Sequence, residues 1–382
     1  MRAVRRAFGG GAVRRDFVDA IGETPLIRLR AASEATGCEI YGKCEFLNPG
    51  GSVKDRAALG IVRAAQREGL LRRGSTLVDG TAGNTGIGLT SVCNTLGVRT
   101  VIVIPETQTQ EKKDALRQLG ARLVEVPAAP RDAASVAARP ARSFDRASRR
   151  RYKSENNYIK VGGRLASELG AVWGNQFDNT ANRDAHYETT GPEIWAQTEG
   201  KVDAFSCAVG TGGTLVGTGT FLREASGGGV KVALTDPPGA ALFRFYRDGA
   251  LASEGDSITE GVGQGRITAQ LEGFAPDAAY EVDDAASLRC AYDLLRDEGL
   301  ALGLSSGLNV AGAMRVAEDL GPGHTVVTIL CDSAHRYASK MFNVDFLESK
   351  GLPAPTWLED RPAAPGDDVD GALARVLLGG AT

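Results

Sequence analysis

Hydrophobic and polar positions alternate along most of the chain in a pattern that switches between helical and strand-like periods. Short apolar runs follow stretches in which apolar residues recur every three or four positions. Strands separated in this way by helices indicate parallel sheets with helices on both faces. The pattern predicts helices at 56–68, 84–96, 108–119, 215–224, 285–298 and 310–320, and strands at 76–78, 100–105, 122–126, 204–209, 230–234 and 325–330.

The interval between about 130 and 200 breaks this alternation, which predicts two α/β domains joined there. Segment 128–157 interrupts the pattern, and its portion 131–151 carries seven Arg against two Asp. A basic run is compatible with nucleic-acid binding, but a single Phe and the absence of a glycine-rich recognition pattern favour a solvated insertion. We expect a flexible N-terminus at 1–15 and a loosely ordered tail at 351–382, with a short helix at 369–378.

Composition narrows the class of protein. Lys plus Arg is 44 against 47 for Asp plus Glu, and this balance argues against a general nucleic-acid surface. No apolar run approaches the ~18 residues of a membrane-spanning helix. The six cysteines are scattered without a Cys-x-x-Cys pair, which is typical of buried thiols in a reducing compartment. With three histidines in the chain, we expect no metal site and a cytoplasmic protein.

Glycine is abundant, at 49 of 382 residues, and it clusters in loops that follow predicted strands. The first such loop, 48–56, contains Lys54 just after Ser52, which is predicted to cap a helix beginning at Val53. A cation in the first helical turn opposes the helix dipole, which suits a lysine that acts as a neutral nucleophile. The alternative is a surface lysine paired with Asp55 or Glu45.

Two further loops are predicted to bind anions. Segment 81–86 offers hydroxyls and backbone amides at the start of a helix, where they could hold a carboxylate. Segment 210–214 places five small residues before another helix, a pattern typical of a phosphate site. It lacks the lysine of a nucleotide-triphosphate loop and the spacing of a dinucleotide-binding loop.

The fourth loop, 303–307, matches the serine-hydrolase pattern G-x-S-x-G, with Asp332 and His335 following in hydrolase order. However, a hydrolase takes its aspartate and histidine from separate strand ends, whereas here they are three residues apart. The hydrolase hypothesis also leaves the other three loops without a role.

Taken together, these loops resemble the cysteine synthase and cystathionine β-synthase family of pyridoxal-phosphate (PLP) enzymes, over about residues 21–343. The resemblance implies a two-domain fold type II PLP enzyme, similar to the tryptophan synthase β subunit and usually a homodimer. It assigns 16–47 plus 179–350 to a large PLP-binding domain and 48–178 to a small domain that closes over the substrate. The matching segments are 22–26, the Lys54 loop, 81–86, 176–177, 186–195, 210–214 and 305–307.

By this resemblance, Lys54 would carry the cofactor as an internal aldimine and later remove the Cα proton of the substrate. Asn84 would bind the cofactor ring oxygen and Ser305 its pyridine nitrogen. The resemblance assigns the phosphate to Gly210, Thr211, Gly212, Gly213 and Thr214, and the substrate carboxylate to Thr81, Ala82, Gly83, Thr85 and Gln176.

The implied reaction replaces the acetate of O-acetyl-L-serine by sulfide through an aminoacrylate, giving L-cysteine. Ala82 stands where the family usually has serine, which removes one hydroxyl donor from the carboxylate loop. Cysteine desulfhydrase activity, which releases sulfide, pyruvate and ammonia, is therefore an alternative. A more distant alternative is a non-catalytic family member that acts as a binding partner.

Overall fold

The computed structural model describes residues 13–81, 83–108, 110–127 and 155–357. Its strands alternate with helices along most of this part of the chain. The described strands are β1 (Leu26–Arg28), β2 (Glu39–Cys44), β3 (Thr76–Gly80), β4 (Arg99–Pro105), β5 (Arg122–Val126), β6 (Val172–Trp173), β7 (Ala204–Ala208), β8 (Lys231–Asp236), β9 (Ala278–Glu281) and β10 (Thr325–Leu330).

These strands form two sheets. The larger sheet has the order β1-β2-β10-β7-β8-β9, and the smaller has the order β5-β4-β3-β6. β1 pairs with β2 in the antiparallel sense, and every other described pairing of neighbouring strands is parallel. All five residues of β7 are buried, as expected for a parallel strand whose two faces are covered by helices.

Helices follow most strands and cover the sheets. The described helices are α1 (Arg30–Thr36), α2 (Lys54–Arg67), α3 (Asn84–Leu96), α4 (Gln110–Gln118), α5 (Tyr158–Glu168), α6 (Ala181–Ala185), α7 (Gly191–Gln197), α8 (Gly213–Ala225), α9 (Leu242–Asp248), α10 (Asp284–Glu298), α11 (Leu304–Leu320), α12 (Ala338–Met341) and α13 (Val344–Ser349). A π-helical turn, His186–Thr190, joins α6 to α7. No described helix is long and apolar enough to cross a membrane.

The carboxyl ends of the parallel strands carry the loops that the sequence singles out. Thr81 follows β3, Gly210 lies two residues beyond β7, and Asp332 lies two residues beyond β10. Open parallel sheets bind their ligands at this edge. In the larger sheet, the topology therefore brings segments that are more than 100 residues apart in the chain to the same side.

The parallel α/β architecture is confirmed, and two predicted helix starts beside the site are wrong. The helix predicted from 310 begins at Leu304, so the fourth glycine-rich loop is the first turn of α11. The helix predicted to begin at Val53 begins at Lys54, with Val53 at the N-cap position. The predicted tail helix 369–378 and nearly all of insertion 128–157 lie outside the described residues.

The sequence pattern also missed several elements. These are β1, α1 and β2 near the N-terminus, β6, β9, α9, α12, α13, and the helices between Tyr158 and Gln197. By compactness the chain divides into one unit ending at Arg336 and a second beginning at Tyr337. This division does not test the predicted boundaries at 48 and 178, which remain predictions.

Candidate active site

Lys54 is the first residue of α2, next to the carboxyl end of β10. Val53 N–H donates to the carbonyl of Cys331 at 2.9 Å, and Ser52 forms an isolated bridge with Asp332. The Ser52 hydroxyl accepts from Lys54 N–H at 3.2 Å, which steadies the turn before the helix. Lys54 is half-buried, and its ammonium group makes no hydrogen bond or ion pair with any residue that the structure describes.

The alternative of a lysine paired with Asp55 or Glu45 is wrong, because both carboxylates are engaged elsewhere. Asp55 accepts from Gly50 N–H at 2.6 Å, and burial raises the pKa of its carboxyl to about 7. Glu45 is fully buried and accepts two hydrogen bonds from the Arg56 guanidinium, at 2.7 and 2.8 Å. Burial acts to raise the pKa of Glu45, but Arg56 outweighs it and lowers the pKa overall.

Segment 210–214 forms a cradle of backbone amides at the N-terminus of α8. The N–H groups of Gly210, Thr211 and Gly212 donate to no atom among the described residues. A side chain at Gly210 would bring its Cβ within 2.2 Å of the Gly261 carbonyl oxygen, and Gly212 has a φ of 99°. Glycine is therefore required at both positions. Unpaired amides at a helix N-terminus fit a phosphate group.

The hydroxyl of Thr214, at the end of this cradle, contacts a buried histidine. His186 Nε2 lies 3.2 Å from Thr214 Oγ1, and Nδ1 lies 2.8 Å from Thr190 Oγ1. Burial lowers the pKa of His186 to about 3, so the imidazole is neutral. A neutral ring donates from one nitrogen and accepts at the other, which gives the two hydroxyls opposite roles.

Asn84 is the first residue of α3, and its side-chain amide is bonded at both ends. Its Nδ2 donates to Asp332 Oδ2 at 2.7 Å, and its Oδ1 accepts from the Arg336 guanidinium. Arg336 also donates through Nη2 to the Gly50 carbonyl at 2.6 Å. These bonds join the start of α3 to the end of β10 and to the turn before Lys54.

The predicted carboxylate loop lies between β3 and α3. Thr81 is buried and donates its N–H to the Val103 carbonyl at 3.0 Å, while Gly83 occupies the N-cap position of α3. The Thr85 hydroxyl donates to Gln176 Oε1 at 2.5 Å. The amide nitrogen of Gln176 therefore remains as a donor for an anion. Ala82 lies outside the described residues.

Ser305 is buried in the first turn of α11 and shares a hydrogen bond with the thiol of Cys331. Burial raises the pKa of this thiol to about 12, so it stays protonated. Asp332 is bonded to Asn84, and the exposed His335 ring makes no hydrogen bond to either residue in the part of the chain that the structure describes. The arrangement does not support a hydrolase triad.

Most of the predicted site residues thus belong to one continuous network. No sequence motif identifies Asn182, whose buried Nδ2 donates both to the Gln176 carbonyl and to Thr211 Oγ1 at 2.9 Å. No motif identifies Arg336 either, and the sequence pattern connects Asp332 only with the hydrolase hypothesis. Among the described residues, no cluster of His, Cys, Asp or Glu side chains is arranged to hold a metal ion.

Comparison with known proteins agrees with this geometry. A family model described as pyridoxal-phosphate dependent enzyme matches residues 18–332. Cysteine synthase 1 of Neurospora crassa is 52% identical over 345 residues, covering 89% of this chain and 86% of that protein. Cysteine synthase 1 of Emericella nidulans is 52% identical over 341 residues, covering 88% and 86%.

Solved structures show the same fold. The O-acetylserine dependent cystathionine beta-synthase from Helicobacter pylori superposes with a TM-score of 0.74 at 29% identity, covering 86% of this chain and 99% of that one. An O-ureido-L-serine synthase superposes with a TM-score of 0.73 at 32% identity, covering 95% and 100%. Each of these proteins is therefore similar along nearly its whole length.

Proposed function

The chain belongs to the family of pyridoxal-phosphate dependent enzymes, and we propose that within it the chain is a cysteine synthase that converts O-acetyl-L-serine and sulfide to L-cysteine and acetate. The observation that carries this proposal is the network that joins the unpaired Lys54, the amide cradle and Asn84 at the carboxyl ends of parallel strands. The 52% identity to two cysteine synthases supports the choice of reaction.

The residues of the site fit the cofactor. The free amides of the 210–214 cradle would bind its phosphate, with the Thr214 hydroxyl as a further donor. Asn84 Nδ2 would donate to the ring oxygen, Ser305 would contact the ring nitrogen, and Lys54 would hold the reactive carbon. When bound, pyridoxal phosphate supplies the electron sink that stabilises negative charge at the substrate Cα.

The substrate would be oriented by its carboxylate. Because Gln176 Oε1 accepts from the Thr85 hydroxyl, Gln176 Nε2 can donate to a carboxylate oxygen. Thr81, Gly83 and the Thr85 amide complete the proposed carboxylate site, with Ala82 between them as the position lacking a hydroxyl. Lys54 Nζ, which has no competing partner among the described residues, would take the Cα proton as acetate leaves Cβ. It would return that proton to Cα when hydrosulfide adds to Cβ.

The assembly and compartment are also proposals. We expect a homodimer in which the domain formed by 48–178 closes over the substrate and excludes water. All six cysteines are free thiols, which supports a reducing, cytoplasmic location. The near-neutral charge balance supports small molecules rather than nucleic acid as ligands.

The test is product analysis with purified protein and added pyridoxal phosphate. Cysteine and acetate should form in equal amounts from O-acetylserine and sulfide. Lys54→Ala should reduce this turnover at least about 1000-fold without unfolding the chain, and the exposed control Lys201→Ala should retain it. Release of sulfide and pyruvate from cysteine, with no response to O-acetylserine, would instead identify a desulfhydrase. Failure to bind the cofactor at all would indicate a non-catalytic family member.

A further inference from the structure

The side-chain amide of Asn84 is held between two residues of opposite hydrogen-bonding character. Asp332 Oδ2 accepts from Nδ2 at 2.7 Å, and the Arg336 guanidinium donates to Oδ1. Both partners lie just after β10, roughly 250 residues away in the chain. Neither partner belongs to the glycine-rich loops that surround the proposed cofactor site.

This pairing fixes the orientation of the amide. An ionised carboxylate only accepts hydrogen bonds, and a guanidinium only donates them, so Nδ2 must face Asp332 and Oδ1 must face Arg336. Rotating the amide by half a turn would set oxygen against oxygen and NH₂ against guanidinium, which loses both bonds. One of the two N–H groups of Asn84 is used by Asp332, and the planarity of the amide then sets the direction of the second.

Arg336 is itself anchored. Its Nη2 donates to the Gly50 carbonyl at 2.6 Å. The backbone N–H of Gly50 in turn donates to Asp55 Oδ2 at 2.6 Å. Gly50 and Asp55 flank Lys54 in the chain. The orientation of Asn84 is therefore tied to the backbone that presents the lysine, which keeps the two groups in a fixed relationship.

We propose that Asp332 and Arg336 are positioning residues that orient Asn84 so that its second Nδ2–H donates to the ring oxygen of the cofactor. This inference rests on the proposed function, in which Asn84 binds that oxygen. Asp332 and Arg336 act through Asn84 and need no contact of their own with the cofactor. Their contribution to cofactor binding should therefore vanish when Asn84 is absent.

The experiment measures the dissociation constant of pyridoxal phosphate by absorbance titration of the full-length chain, without substrates. Asp332→Ala and Arg336→Met should each weaken binding about tenfold, the effect of losing one well-placed hydrogen bond. Asp332→Asn, whose carbonyl can still accept from Asn84, should weaken it less than about threefold. In an Asn84→Ala background, the same substitutions should change affinity by less than about twofold.

Controls separate a positioning role from a structural one. Arg296→Met removes an exposed arginine paired with Asp293 and Asp297 and should leave cofactor affinity unchanged. Effects that remain tenfold in the Asn84→Ala background, or single variants with unchanged affinity, would overturn the proposal. If an alanine or methionine variant does not fold, Asp332→Leu and Arg336→Leu, which also remove the acceptor and the donor, carry the same comparison. Because no substrate is used, an inactive protein that binds the cofactor refutes the proposed function while leaving this test decisive.

Discussion

Replacing Arg56 by methionine would remove the cation that binds the buried carboxylate of Glu45 and the partly buried carboxylate of Glu193. Its guanidinium donates to Glu45 at 2.7 and 2.8 Å and makes two hydrogen bonds to Glu193, both at 2.7 Å. Arg56 and Glu45 are 2% and 0% exposed. Methionine fills a similar volume but supplies none of these donors, so the perturbation is confined to charge and hydrogen bonding.

The size of the loss in unfolding free energy depends on which cations remain beside the two carboxylates. Without Arg56, the described residue left to neutralise Glu193 is Lys43, which forms an ion pair with it at 2.7 Å. Burial lowers the pKa of Lys43, although the neighbouring carboxylates act to raise it. One carboxylate would then be left buried without a matching cation. Removing one partner of a buried ion pair costs about 3–5 kcal/mol of unfolding free energy.

The loss of stability in Arg56→Met should depend on pH through the ionisation of Glu193. Burial acts to raise the pKa of Glu193, but Arg56 and Lys43 outweigh it and lower the pKa to about 2. A lowered pKa stabilises the folded state above the unfolded pKa of about 4.5, and that stability is lost as the pH falls toward 2. In Arg56→Met, burial of the ionised carboxylates lowers the free energy of unfolding, and protonation of these groups reduces that loss. The difference between the two proteins should therefore shrink from pH 7 to pH 4.

The assay is urea unfolding of the cofactor-free chain at both pH values, since bound cofactor would add its own stabilisation. Arg296→Met is the matched control, because its ion pairs are exposed to solvent and contribute little to stability. A loss below ~1 kcal/mol for Arg56→Met at pH 7 would refute the reasoning. A difference that grows toward pH 4 would refute its electrostatic part.

Two further predictions concern the cradle and its histidine. Gly210→Ala should weaken cofactor binding at least about tenfold in the pyridoxal-phosphate absorbance titration, because its Cβ would lie 2.2 Å from the Gly261 oxygen. The control Gly229→Ala, whose Cβ would have its nearest contact at 3.5 Å, should have no effect. Burial lowers the pKa of His186 to about 3. As the pH falls below 6.5, the unfolded chain therefore takes up a proton that the folded chain does not. This histidine should then reduce the free energy of unfolding by about 1.4 kcal/mol per pH unit. His186→Asn should reduce this slope between pH 6.5 and 4; an unchanged slope would contradict the assignment.

The parts of the fold that the sequence predicts are those whose local pattern and tertiary role agree. α3 spans Asn84–Leu96 and β10 spans Thr325–Leu330, as their periodicity indicates. The predicted start of α11 is wrong because Gly303 and Gly307 give this segment the composition of a turn. A Cβ on Gly307 would lie 2.1 Å from the Ser287 carbonyl, so this glycine permits the close approach of α10 and α11.

In the candidate site too, local sequence patterns predict some residues and not others. The glycine-rich loops could be assigned to a sheet edge, because parallel strands end together and unpaired amides collect where helices begin. The residues that join those loops carry no comparable local pattern. Asn182 lies in the five-residue helix α6 and bridges Gln176 to Thr211, yet nothing in its neighbourhood along the chain distinguishes it from a surface asparagine.

Orientation is the property that sequence patterns leave open. Asn84 can be placed at a helix start from its neighbours, but the direction of its amide depends on which side meets a donor and which meets an acceptor. Asp332 and Arg336 supply that asymmetry from the end of another strand. A loop sequence specifies which donors a site contains, whereas distant polar partners specify where those donors point. Substitutions at such partners should therefore alter cofactor affinity while every residue of the binding loops is unchanged.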